Sequence, residues 1–229
     1  MSELGLAEQV LLKIADWGIP FIIGLLLRKK VARWLITAKM RLLNDTISIS
    51  ILFVRSYQPT EIKSCSHQIY ENIKTKIPTP KLLNLHTSGL RISVPEFGIL
   101  RVSLNKVTNE EELEAGEEPE VIRIKAILAP ESPIRLGVRD VEQLSILANY
   151  AEAIFGEIEQ LCLNEKRIIS EATYTIIEIP RIGRFKEEKS FRFEDSSLSA
   201  IVSATEEKTT ITVKALSQIG KATKKYLLV

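Results

Sequence analysis

Apolar and polar residues along this chain follow two rhythms, and one gives way to the other near Asn44. Before that point the spacing is helical. Leu6, Val10, Ile14 and Trp17 share one face, with Gln9, Lys13 and Asp16 opposite, which predicts an amphipathic helix. Gly18-Ile19-Pro20 breaks it, and Pro20 suits the first position of a second helix running to about Leu43. The first half of that helix is apolar all round. Its second half sets Val31, Trp34, Leu35, Ala38 and Leu42 largely opposite Lys30, Arg33, Thr37 and Arg41.

After Asn44 the period changes to two. Ile47, Ile49, Ile51 and Phe53 alternate with other residues and predict a strand to Tyr57. Pro59 opens a predicted helix to about Ile77, with Ile62, Cys65, Ile69, Ile73 and Ile77 as its core stripe and Pro78 and Pro80 ending it. Strands are expected at about Leu90–Val94, Ile99–Val107 and Val121–Leu128. Asp140 is placed to cap a long helix, with Gln143 at the capping-box position. Strands near Ala172–Ile179, Phe191–Glu194, Leu198–Thr205 and Thr209–Ala215 follow, then a helix from Leu216 to Leu228.

These elements define an α+β fold: an N-terminal helical hairpin, then a mixed, mainly antiparallel sheet with a long central helix and a C-terminal helix. Residues 1–43 form an apolar and basic anchor segment, and residues 44–229 one α+β domain with a single candidate internal boundary at the Pro-bearing link 129–139. The order helix, strands, helix, strands, helix after residue 58 resembles a duplicated unit, but no residue-level repeat accompanies it.

Composition sharpens the contrast between the two parts. The formal charge of the 229 residues is +2. Residues 1–43 carry seven Lys or Arg against Glu3, Glu8 and Asp16, a net of +4, so the rest of the chain is net −2. The basic excess therefore sits beside the apolar run. Cys65 and Cys162 both fall in predicted helices, which argues against a stapled secreted scaffold and for a reducing compartment. Glu outnumbers Asp by 25 to 4, a bias that thermophile proteins share.

The N-terminus does not read as a cleaved leader, because Arg28-Lys29-Lys30 follows the apolar run where small residues would stand. A simple membrane span is also disfavoured. The uncharged run Trp17–Leu27 is 11 residues, about 16 Å as a helix, against the roughly 30 Å of a hydrocarbon core. A basic amphipathic helix edged by Trp is instead what an interfacial anchor requires. The residues expected to touch the membrane are Trp17, Phe21, Ile22, Ile23, Leu25, Leu26, Arg28, Lys29, Lys30, Arg33 and Trp34. The competing reading is a hairpin buried on the domain or in an oligomer.

Four features bear on chemistry. In the central strands Arg91, Arg101, Arg123 and Lys125 alternate with apolar residues, which would place them on one face suited to phosphates or headgroups. Nucleic acid is disfavoured as a partner, since no aromatics are interleaved with these cations. Glu110–Glu120 is an acidic loop without the Asp spacing of a calcium site. Leu144, Leu147, Ala151, Ile154, Ile158 and Leu161 have a short coiled-coil rhythm that a helix laid across a sheet shares. Finally, Cys65, His67, His86 and Cys162 do not converge on a metal, and there is no phosphate loop or nucleophile elbow.

The expectation is a non-enzymatic, membrane-associated scaffold or interaction protein with its domain on the cytoplasmic side, without cofactor or metal. Its partners would be a membrane surface and a protein or a second copy of itself. The alternatives are a ligand- or lipid-binding α+β domain, a soluble cytoplasmic oligomer that uses the hairpin as its interface, and an enzyme whose site no motif marks, with buried Glu or His in a cleft as its sign.

Overall fold

The computed structural model describes Val31, Leu35, residues 38–40, 42–58, Glu61, 63–86, 88–108, 121–163, 172–181 and 190–227. The chain divides into two compact units, Met1–Asp45 and Thr46–Val229. In the first, Val31, Leu35, Ala38–Met40 and Leu42–Leu43 are helical. Asn44 ends the helix at φ 50°, a left-handed conformation that its short polar side chain tolerates. The Asp45 amide then reaches back to the Met40 carbonyl at 3.0 Å, the six-to-one closure of a Schellman motif. The first predicted helix, the Gly-Pro break and the uncharged run lie outside the described residues.

The second unit is α+β, built on one antiparallel sheet of ten strands. These are β1 (Thr46–Tyr57), β2 (Lys81–His86), β3 (Gly89–Val94), β4 (Gly98–Thr108), β5 (Val121–Pro130), β6 (Ile134–Gly137), β7 (Ala172–Pro180), β8 (Phe191–Asp195), β9 (Ala200–Ala204) and β10 (Lys208–Val213). Their order across the sheet is β2-β3-β4-β5-β1-β7-β10-β9-β8, with β6 also on β1. One edge of β1 is shared: Phe53–Tyr57 pairs with β5, and Thr46–Ile49 with β6. The link 129–139 thus carries the chain from one pairing of β1 to the next within a single sheet.

Among the described residues three helices accompany the sheet: α1 (Ser66–Ile73), α2 (Leu144–Leu161) and α3 (Ile219–Tyr226). The α1 and α3 helices each pack on α2. They cover the face that β1 presents through Ile49, Ile51 and Phe53, all buried, and that β3, β4 and β5 continue with Leu90, Ile92, Leu100, Val102, Ile124 and Leu128. Strict alternation drives this: every second residue turns its side chain into the core. On α2 the stripe Leu144, Leu147, Ala151, Ile154 and Ile158 is buried and its last member, Leu161, is half-buried, the behaviour of a helix laid across a sheet.

The architecture has an internal near-two-fold. In each half a first strand (β1 or β7) is followed, after an excursion to the sheet's far edge, by a meander whose last strand (β5 or β10) returns beside it. A 3-10 turn and a helix then close each half: Val141–Gln143 before α2, and Leu216–Gln218 before α3. The halves meet where β1 and β7 pair antiparallel, from Ser50 opposite Glu178 to Ser56 opposite Ala172. Each 3-10 turn packs on the helix of the other half. Gly220 permits the close approach of α3 to the start of α2, since a Cβ there would lie 2.5 Å from the Ser145 hydroxyl.

Several boundaries differ from the sequence expectation. The helix expected over 59–77 is shorter, Ser66–Ile73; Cys65, Ile69, Ile73 and Ile77 are buried, and Ile62 lies outside the described residues. The capping box does not form: Asp140 precedes a 3-10 turn, makes no side-chain cap bond, and α2 starts only at Leu144. The strand expected from Leu198 starts at Ala200, because Ser196–Leu198 is a 3-10 turn closed by Ser199 at φ 46°.

The cysteines are corrected more sharply. Cys65 stands just before α1 and Cys162 just after α2, rather than inside helices, and the two form a disulfide with Cα atoms 5.6 Å apart. Beside it the Lys63 amide donates to the Cys162 carbonyl at 2.9 Å. The pairing removes the ground on which a reducing compartment was expected.

Candidate functional site

The sheet face opposite the helices is where the sequence-predicted cations stand. Register fixes them: Arg91 on β3 is directly opposite Arg101 on β4. Further along β4, Asn105 faces Lys125 and Val107 faces Arg123 of β5. All four alternate with buried residues and so share one side. They form two groups: Arg101 and Asn105 are four residues apart, about 13 Å along a strand, so the two arginines make one pair and Lys125 with Arg123 another. The sequence reading, confined to the central strands, placed no aromatic here. Register adds Tyr174, in the row Ser103, Ile127, Val54, Tyr174 that crosses from β4 to β7.

Like charges directly opposite on neighbouring strands repel. Glu131, in the turn between β5 and β6, answers this charge. Its carboxylate accepts from Nε and Nη2 of Arg91, both at 2.5 Å, a bidentate fork. Its backbone amide is anchored to the Ile99 carbonyl at 2.9 Å. The hydrogen bond from Arg91 holds the Glu131 carboxyl below its ordinary range, with Arg101 adding to the effect. Arg101 is exposed and, among the described residues, makes no side-chain hydrogen bond or ion pair.

Beside this pair a cleft of about 400 Å³ opens. His86, Gly89, Arg91, Arg101, Ser103 and Glu131 line it. Gly89 shapes the floor: a Cβ there would lie 2.3 Å from the Val102 carbonyl oxygen. Only glycine fits so close to the neighbouring backbone. A second cleft, about 420 Å³, lies beyond Glu131 and is lined by Phe97, Ile99, Pro133 and Arg135 among others.

The helix side holds a different kind of polar cluster. Arg55, 8% exposed, reaches from β1 under α2. It donates to Glu152 at 2.6 Å and Glu159 at 3.0 Å and lies over the Phe155 ring. Tyr57 donates to Glu159 at 3.1 Å; burial, then the nearby Glu159 charge, pushes its phenol well above the usual range. Glu157, 3% exposed, accepts from Asn72 and Lys76 and so ties α2 to α1. Burial alone would raise its pKa, but those bonds outweigh it and the carboxyl stays low. These groups bond to one another and hold elements together, with Nε of Arg55 left buried without a hydrogen-bond partner.

Residues Trp17, Phe21, Ile22, Ile23, Leu25, Leu26, Arg28, Lys29, Lys30, Arg33 and Trp34, and the acidic loop at 110–120, lie outside the described residues. What is described of the same helix is informative: Val31, Leu35 and Leu42 are exposed by 49%, 55% and 73%. Among the described residues no helix is long and apolar enough to cross a membrane, and no three His, Cys, Asp or Glu side chains cluster as a metal site. No protein-family model and no curated protein matches the chain in sequence.

Proposed function

We propose that the protein is a non-enzymatic, membrane-associated interaction protein. The N-terminal helix lies in the interface of an anionic membrane, and the α+β domain is held at the cytoplasmic surface. One observation carries the reading: Val31, Leu35 and Leu42 are all exposed. At 100° per residue these positions fall within about 40° of one another, an apolar stripe on a helix that also carries the chain's basic excess. Such a stripe needs an apolar partner, and each side chain gains roughly 1.5–3 kcal/mol on burial. The cations Arg91, Arg101, Arg123 and Lys125 form a second contact, for headgroups.

The test is flotation of the full-length protein with phosphatidylserine-containing vesicles, against a variant carrying Val31→Glu, Leu35→Glu and Leu42→Glu. The wild type should rise with the vesicles, less so at high salt, and the variant should remain at the bottom. If instead the wild type is a stable oligomer that ignores vesicles, and the variant is a monomer, the stripe is a subunit interface and the membrane reading fails.

A further inference from the structure

We infer that the cleft over Gly89 is a binding site for a phosphomonoester, a doubly charged phosphate on a small organic body. The inference deepens the headgroup-face reading above, but a soluble phosphate ester satisfies it equally. Two guanidinium groups face each other across β3 and β4 at the cleft. Among the described lining residues the one carboxylate, Glu131, engages Nε and Nη2 of Arg91 and so leaves Nη1 pointing elsewhere. The site thus keeps a net positive charge with one guanidinium plane already oriented. Glu131 is a positioning residue: its own amide is fixed to Ile99, so it holds Arg91 in place of solvent.

Arg101 supplies the uncommitted fork. Arginine offers parallel N–H donors that match two phosphate oxygens, and two arginines suit a dianion better than a singly charged diester. Ser103, opposite Gly89 on β4, adds a hydroxyl, and His86, opposite Gly89 on β2, adds an imidazole. Between them Gly89 presents no side chain. The β4 backbone comes so close to Gly89 that no side chain could stand between His86 and Ser103, and the arginine pair lies on the adjacent row. A volume of about 400 Å³ is more than one phosphate fills, which leaves room for the organic part of the ester.

The experiment follows backbone amide resonances of the full-length protein as inorganic phosphate, then glycerol phosphate, is added. Saturable shifts centred on Gly89 and Ser103 are expected, with glycerol phosphate the tighter ligand. Arg101→Ala should weaken its binding at least about tenfold, while Lys221→Ala, a cation on α3 remote in sequence from the cleft, should leave it unchanged. A second arm separates the sources. If Arg101→Ala also weakens flotation on phosphatidic-acid vesicles, and glycerol phosphate competes, the ester is a lipid headgroup; if vesicle binding is untouched, it is a soluble molecule. Absence of saturable shifts at Gly89 and Ser103 with either phosphate overturns the inference, as does equal weakening by Arg101→Ala and Lys221→Ala. Neither outcome bears on the Val31, Leu35 and Leu42 stripe, whose own variant decides the membrane reading.

Discussion

Single residues tie the ends of this fold together more than they decorate its surface. Asp195 closes β8 and accepts from Lys225 at 2.7 Å and from Tyr226 on α3, as well as from the Ser197 backbone amide and hydroxyl. The Lys225 bond first, then those from Ser197 and Tyr226, hold its carboxyl far below the ordinary carboxylate range. A depressed folded-state pKa adds stability that is fully present above the ordinary carboxylate pKa of about 4 and is lost as pH falls through the folded value. Acid should therefore loosen α3 from the sheet edge. Thermal melts from neutral pH downward should show wild type losing stability below about pH 4, with Asp195→Asn less stable at neutral pH and less sensitive to that fall. Identical pH dependence in the two proteins would remove Asp195 from the account.

At the scale of elements, legibility followed exposure of the alternating pattern. Strands with one buried face, such as Leu90–Val94 and Ile99–Val107, announce themselves because every second residue must be apolar. The β2 strand does not: Lys81–His86 is an edge, and its register shifts between Leu82 and Asn84, leaving Leu83 exposed. The four-residue β6 is too short to show a period. The cleft was half legible. Its arginines could be read from alternation, whereas Glu131 arrives from a turn and His86 from the unrecognised edge strand. Nor does local sequence bring Cys65 to Cys162, 97 residues away; only the packing of α1 on α2 does so. A cross-link closing so long a loop contributes up to about 4–5 kcal/mol in the chain-entropy account. Reduction, or Cys65→Ser with Cys162→Ser, should lower the melting temperature by several degrees or more, while the far-ultraviolet dichroism at 25 °C keeps its native shape. An unchanged melting temperature on reduction would mean that the bond adds nothing to stability.

For the whole molecule, the change of rhythm near Asn44 and the division into Met1–Asp45 and Thr46–Val229 point to one experiment. The second unit contains the continuous sheet, its covering helices and the disulfide. Residues 46–229 alone should therefore express as a soluble protein that unfolds in one cooperative transition, measured by calorimetry. Aggregation of that fragment, or a broad transition without a calorimetric peak, would show that the first unit completes the core. The element order alone resembles a duplicated unit, and no residue-level repeat accompanies it because the two halves share connectivity, not residues: the β5 strand carries Arg123 and Lys125, whereas Thr210 and Thr212 stand on β10, its counterpart.

That symmetry has a consequence for assembly. A chain of half this length, ending after the helix that follows its meander, would expose its first strand as a bare edge. Two such chains could satisfy that edge only by laying first strand against first strand about a two-fold axis, and antiparallel pairing is the arrangement such an axis permits. The junction of β1 with β7, and the reciprocal seat of each turn on the other half's helix, are the contacts that such a pair of chains would make. Halves joined in one chain need not be identical. A single chain can set Arg91, Arg101, Arg123 and Lys125 on the outer face of one half while Thr210 and Thr212 stand on that of the other, a division of labour closed to any assembly of identical subunits.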